Sequence, residues 1–275
     1  MKHTALLLAS ALAAPPGYAQ SASAGTVTIA LNPPVDQDLT LTIRDQRSMP
    51  GGAVLVFTVV HHVRFSSADD GWRATITQQS ADCSGPDAVC RAYTTAMTAA
   101  SGVERQFGVG RDGTIALLRG QHGTAAGDTA ADGAGSDAGN AGMVVAMAEG
   151  GSPGALIAGE LREAIRYARQ HFVLDAPPAH PSAHPSAHSV FGIGARAVDG
   201  GLVEITVRRR LEGAGQTDMI RRTIVRVDPR TGLSSAGVTE THLISSGALS
   251  DEHAPPISVR TWSLEAPEVP EGAGE

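Results

Sequence analysis

Gly150-Gly151-Ser152-Pro153-Gly154 fits the G-x-S-x-G spacing of a serine nucleophile elbow, and a helical pattern comes directly after it. In such an elbow the backbone N–H after the serine supplies half of the oxyanion hole. Here that residue is Pro153, which has no N–H to give. Loss of one such donor costs about 10²–10³ in rate, and the residues before Gly150 make a poor strand, so the match predicts no hydrolase. Gly108-Val109-Gly110-Arg111-Asp112-Gly113 fits G-x-G-x-x-G. A dinucleotide site needs a helix directly after the glycines. Thr114–Leu118 has a strand pattern instead, so the segment reads as a hairpin turn.

His180, His184 and His188 recur every fourth residue in His-Pro-Ser-Ala repeats. On a helix that spacing would align three imidazoles for Zn²⁺ or Cu²⁺. Pro181 and Pro185 forbid the helix, so the tract reads as an extended linker, with weak metal binding as the alternative. His61 and His62 sit next to each other inside a strand pattern and point to opposite faces. One faces the interior of the sheet and the other solvent or a cavity. Arg208, Arg209, Arg210, Arg221 and Arg222 crowd one end of a predicted hairpin. They read as charge protection of a sheet edge, or as a patch for an anionic partner. Asp128, Asp132 and Asp137 lack the spacing of a calcium loop. The only lysine is Lys2, so the rest of the chain can form neither a lysine Schiff base nor a P-loop. Cys83 and Cys90 are the only cysteines. Their spacing fits neither a C-x-x-C redox pair nor a common zinc motif. Outside the cytoplasm they predict a disulfide, worth about 2–3 kcal/mol for so short a loop.

The elements that must position these groups are mostly strands. Leu39, Leu41 and Ile43 alternate with polar residues. Residues 53–65 form the strongest strand, with Leu55, Phe57, Val59, Val63 and Phe65 on one face, interrupted by His61. At about 3.3 Å per residue, such a strand is about 43 Å long, a length suited to a large curled antiparallel sheet. Trp72, Ala74 and Ile76 mark a third strand. Val89, Tyr93, Met97 and Ala100 then recur at helical spacing, as do Ile157, Leu161, Ile165, Ala168 and Phe172. These predict helices over about 87–101 and 154–172. Residues 119–142 are Gly, Ala, Asp, Ser and Thr with few apolar side chains, which reads as a disordered insert. Strand patterns return at 190–198, 202–211, 218–227, 234–244 and 257–264. The expected class is therefore α+β: one large curved antiparallel sheet with two helices on one face. It spans residues 36–265 as a single domain, with a leader over 20–35, a His/Pro-rich tract over 177–188 and a frayed tail over 266–275.

Met1-Lys2-His3, the apolar run from Ala5 to Ala14 and the small residues Gly17 and Ala19 make a secretory signal, cleaved after Ala19 or after Ala24. The run is too short to span a bilayer. The mature chain is expected to be soluble, periplasmic or secreted, with no transmembrane segment. The formal net charge of −7 and 4% aromatic content argue against a nucleic-acid partner.

The order of elements over about 37–265 (long strands, a helix, a hairpin, a second helix, then more strands) resembles the half-barrel of the outer-membrane lipoprotein carrier proteins. The Val227-Asp228-Pro229-Arg230-Thr231-Gly232 hairpin is similar to one in uncharacterised secreted bacterial proteins. The resemblance implies a curved sheet lidded by helices over an apolar cavity, and no functional residue is carried over from it.

The expected function is non-catalytic binding of a lipid, an acyl chain or a hydrophobic segment in a groove, with a hydrophobic ligand or an envelope protein as the expected partner. Candidate groove residues are Leu55, Phe57, Val59, Trp72, Ile76, Met97, Leu161, Ile165, Phe172 and Trp262, each of which fits ordinary core equally well. The competing reading is an enzyme whose catalytic groups come from scattered histidines and carboxylates, such as a hydrolase of unrecognised site. No cofactor is implied.

Overall fold

The computed structural model describes residues 25–98, 100–118, 153–175, 192–212, 218–243 and 255–266. The signal segment, Ser152, the insert, the histidine tract and the tail read from sequence lie outside the described residues.

The main strands are β2 (Asp38–Ser48), β3 (Val54–Ala68), β4 (Gly71–Ser84), β5 (Glu104–Gly110), β6 (Ile115–Leu118), β8 (Gly192–Val198), β9 (Leu202–Glu212), β10 (Asp218–Val227), β11 (Ser234–Leu243) and β12 (Ser258–Glu265). These ten form one antiparallel sheet in the order β6-β5-β4-β3-β2-β12-β11-β10-β9-β8. The last strand returns to pair with β2, joining the N- and C-terminal halves of the chain. The sheet is curved and open, with β6 and β8 as its edges. The fold is the α+β half-barrel expected from the strand patterns.

Both helices lie on the same face, shown by the parity of the residues they cover. Helix α1 (Asp87–Thr98) buries Tyr93 and Met97 against Leu55, Phe57 and Val59 of β3. The Phe57 and Tyr93 ring centroids are 4.2 Å apart. The Cys83–Cys90 disulfide ties the first turn of α1 to the end of β4. Helix α2 (Pro153–Ile165) buries Ile157, Leu161 and Ile165 with Leu39, Leu41, Ile43 and Val63 in the larger cluster. It reaches β11 on one side and β6 on the other, so it crosses the concave face as a roof. No described helix is long and apolar enough to cross a membrane.

Two segments depart from the sequence reading. The stretch read as a leader carries β1 (Thr26–Thr28), which pairs with β7 (His171–Val173). Ile29, directly after it, is fully buried. The predicted helix over 154–172 ends at Ile165, and Arg169 takes a positive φ of 64° before β7 begins. Phe172 keeps its place in the core from a strand instead of a helix. The Asp228–Gly232 turn closes with Gly232 N–H donating to Asp228 C=O at 2.8 Å. It packs directly on the leader: Ala30 N–H donates to Pro229 C=O and Asn32 N–H to Thr231 C=O, both at 2.9 Å. The G-x-G-x-x-G segment is the β5–β6 hairpin turn, closed by Gly110 N–H donating to Thr114 C=O at 2.8 Å.

Candidate functional site

On the concave face, four neighbouring strands change from apolar to polar at the same level. In β2 the order is Leu39, Leu41, Ile43, then Asp45 and Arg47. In β12 it is Leu264, Trp262, then Arg260 and Ser258. In β10 it is Val227, Val225, then Thr223 and Arg221, and in β11 Gly237 is succeeded by Thr239 and Thr241. Register aligns these steps into two transverse rows. The first row is Thr223, Thr239, Arg260 and Asp45. The second is Arg221, Thr241, Ser258 and Arg47, extended onto β9 by Arg209. The boundary is marked by Trp262, whose indole occupies the space over Gly237 of β11. A Cβ there would lie 2.0 Å from Trp262 Cζ2.

Above this floor, the two helices contribute polar groups of their own. Glu160 lies three residues after Ile157 and four before Ala164, in the middle of the buried stripe of α2. Its Oε2 is 2.8 Å from His61 Nε2, although the approach is not aligned as a hydrogen bond. Its Oε1 is 4.0 Å from Arg260 Nη2. His61 is only 1% exposed. It sits where the β3–β4 register shifts by one residue, a bulge that bends the pairing at this point. Its cross-strand partner Gln78 is buried and donates to Met97 C=O at 2.9 Å. Arg47 donates to Asp45 Oδ2 at 3.2 Å. Asp45 Oδ1, His61 Nδ1, Gln78 Oε1, Tyr93 OH, Glu160 Oε2 and Trp262 Nε1 are all buried without a hydrogen-bond partner among the described residues. Buried polar atoms are normally matched, and these six lie close to the boundary between the apolar core and the polar rows.

The electrostatics arise from burial. Desolvation raises the pKa of the Asp45 carboxyl, while Arg47 and Arg260 oppose the shift. Burial also raises the Tyr93 phenol far above its ordinary value, reinforced by the negative charges of Glu160, Asp45 and Asp82. Burial raises Tyr167 as well. Both groups therefore stay protonated in the folded chain at pH values where an exposed tyrosine, with a pKa of about 10, ionises. The unfolded chain releases both protons there and the folded chain does not. Stability is thus fully retained below about pH 10 and falls as pH rises beyond it. Absorbance titration should show these two phenols ionising only together with loss of structure. Ionisation near pH 10 in a chain that remains folded would contradict the burial.

Of the sequence-predicted groove residues, Leu55, Phe57, Val59 and Met97 form the α1 cluster, and Ile76, Leu161, Ile165, Phe172 and Trp262 belong to the α2 cluster. They are packed core on either side of the polar groups. Trp72 is half-buried and lines a cleft at the opposite end of the sheet. His62 lies on the outer face and pairs with Asp38 at 3.1 Å. The arginine patch divides between faces: Arg209 and Arg221 are cross-strand neighbours on the concave side, and Arg208 and Arg222 on the other, where Arg222 is opposite Glu240. Arg210 is opposite Ile220 on that outer face. His180, His184 and His188 lie outside the described residues. Among the described residues no three metal-ligating side chains come together.

Sequence reasoning missed Asp45, Arg47, Glu160, Thr223, Thr239 and Arg260. The signal for them was phase: each continues the apolar period of its own element with a polar residue.

No family model matches the chain, and no curated protein matches it. Among solved structures it is similar to DynF from the dynemicin biosynthesis pathway of Micromonospora chersina. That match has 8% identity and a TM-score of 0.20 over 90% of this chain and 87% of that one. A likeness this distant carries neither fold nor function across.

Proposed function

We propose that this chain is a non-catalytic carrier of the cell envelope or extracellular space that holds an amphipathic acid, such as a long-chain carboxylate. The acid group lies on the polar floor beneath α2. The apolar chain enters between the α1 and α2 clusters, which are packed against the sheet and must part to admit it. The observation that carries the reading is the aligned change of β2, β10, β11 and β12 from apolar to rows of Arg, Thr and Ser, in which Asp45 is the one carboxylate and is itself bonded by Arg47. Arginine and hydroxyl donors suit an oxyanion, and neighbouring core suits a hydrocarbon chain. The likeness in pattern to half-barrel lipid carriers supports the same reading. The secretory pattern at the start of the chain and the disulfide support its location.

Titration calorimetry with palmitate tests it. The wild-type chain should bind one equivalent saturably. Arg221→Gln and Arg260→Gln should each weaken binding at least about tenfold, the loss of a charge-assisted hydrogen bond of about 1.5–3 kcal/mol. Absence of saturable binding in the wild type, or equal affinity in both folded variants, would refute the assignment.

A further inference from the structure

The end of the half-barrel away from the polar floor holds a cleft of about 700 Å³. That size is within the range of small-molecule sites. Its lining combines two chemistries. Ile29 and Leu31 are buried and Trp72 is half-buried, which gives an apolar wall. Arg111, Arg169 and His171 are exposed and give a cationic rim; among the described residues no carboxylate lines the cleft, although Asp69 and Asp70 occupy the turn between the lining residues Ala68 and Gly71. Asp112, the nearest acid in sequence to Arg111, is engaged within its own turn: Thr114 N–H and Oγ1–H both donate to its Oδ1, at 3.0 and 2.6 Å. These bonds hold its carboxyl below the usual range.

The rim groups are held in place by the fold. Arg169 Nη1 donates to Arg111 C=O at 3.2 Å, bringing the two arginines together from separate turns. Thr28 Oγ1 and His171 Nδ1 are 2.7 Å apart, which leaves Nε2 as the imidazole's second polar atom. Arg169, four residues past the end of α2, takes a positive φ that favours glycine. An arginine there is a strained choice that the surroundings maintain, with Arg169 N–H donating to Ile29 C=O at 2.6 Å. A non-glycine residue at that φ carries backbone strain, and its guanidinium lines the cleft.

We propose that this cleft is a second, separate binding site for a small organic anion that carries a flat apolar group. The anion is held by Arg111 and Arg169, and the flat group lies against Trp72. The site is independent of the carrier reading, because it shares no residue with the polar floor.

The test uses the full-length chain and 8-anilinonaphthalene-1-sulfonate as probe. With Trp262→Phe, Trp72 is the remaining indole. Its emission should be quenched saturably at one equivalent of probe. In that background, Arg111→Gln and Arg169→Gly should each weaken binding at least tenfold. Arg169→Gly relieves the positive φ, so its melting temperature should equal or exceed that of its parent while binding is lost. Palmitate affinity measured by calorimetry should be unchanged in Arg169→Gly, which separates the two sites. Quenching that does not saturate, or saturable quenching of equal affinity in both variants, would overturn the proposal.

Discussion

Glu160→Ala should destabilise the chain by about 3 kcal/mol in urea unfolding. The carboxylate is buried, within 2.8 Å of a buried imidazole and 4.0 Å of the Arg260 guanidinium. Removing one partner of such a group leaves opposite charge in a poorly hydrated interior, and typical losses are about 3–5 kcal/mol. The double change His61→Leu/Glu160→Leu should recover most of the loss, because apolar replacement of a whole buried pair is often neutral or stabilising. That pattern would mean the polar interior is retained at some cost in stability and for a purpose other than folding. A single-variant effect under about 0.5 kcal/mol, with no recovery in the double variant, would show that the pair is not buried as described.

Gly232→Ala should have an effect of similar size for a different reason. Gly232 has φ of 75°, and a Cβ there would lie 2.0 Å from Ala30 C=O and 3.1 Å from Leu31 Cα. Both contacts are with backbone, which cannot swing aside as a flexible side chain would. The β10–β11 turn and the segment after β1 must separate, which breaks the two 2.9 Å hydrogen bonds that join them. It also opens the cover over Ile29. Steric strain, lost hydrogen bonds and exposed apolar surface together should cost about 3 kcal/mol or more. Gly113→Ala is the matched control: φ is 85°, but nothing lies within 4 Å of the added Cβ. Backbone strain alone should cost it about 1–2 kcal/mol. Equal losses in the two variants, read from denaturant midpoints, would refute the close approach at Gly232.

The sheet was legible because its strands are long and keep a strict period of two. The faces of β2 and β3 could be read directly from Leu39–Ile43 and Leu55–Phe65. The helices were legible from the spacing of Tyr93 and Met97 and of Ile157, Leu161 and Ile165. Short elements were not. Three residues each in β1 and β7 are too few to show a period, so Ile29 passed as part of a leader. The end of α2 at Ile165 was hidden because no glycine or proline comes after it, and the left-handed residue four positions beyond is Arg169. Helical spacing through Ala168 and Phe172 then extended the reading by accident.

The candidate site was half legible. His61 stood out as the one polar interruption of an apolar face. Glu160, however, is recognisable only as a polar member of the α2 stripe, and nothing in sequence pairs it with a residue of β3. The polar rows needed register. Each strand alone shows an apolar run ending in Thr, Arg, Ser or Asp, which any surface-reaching strand would show. Only the pairing of Thr223 with Thr239, Thr239 with Arg260 and Arg260 with Asp45 makes them one surface.

Quenching of Trp262 by 2-bromopalmitate tests most directly whether an acid group occupies that surface. In the Trp72→Phe chain, Trp262 is the only indole, two residues along β12 from Arg260. The bromine is next to the carboxylate. The carrier reading predicts saturable quenching at one equivalent that disappears in Arg260→Gln. Saturable binding of the ligand with Trp262 emission unchanged would contradict it.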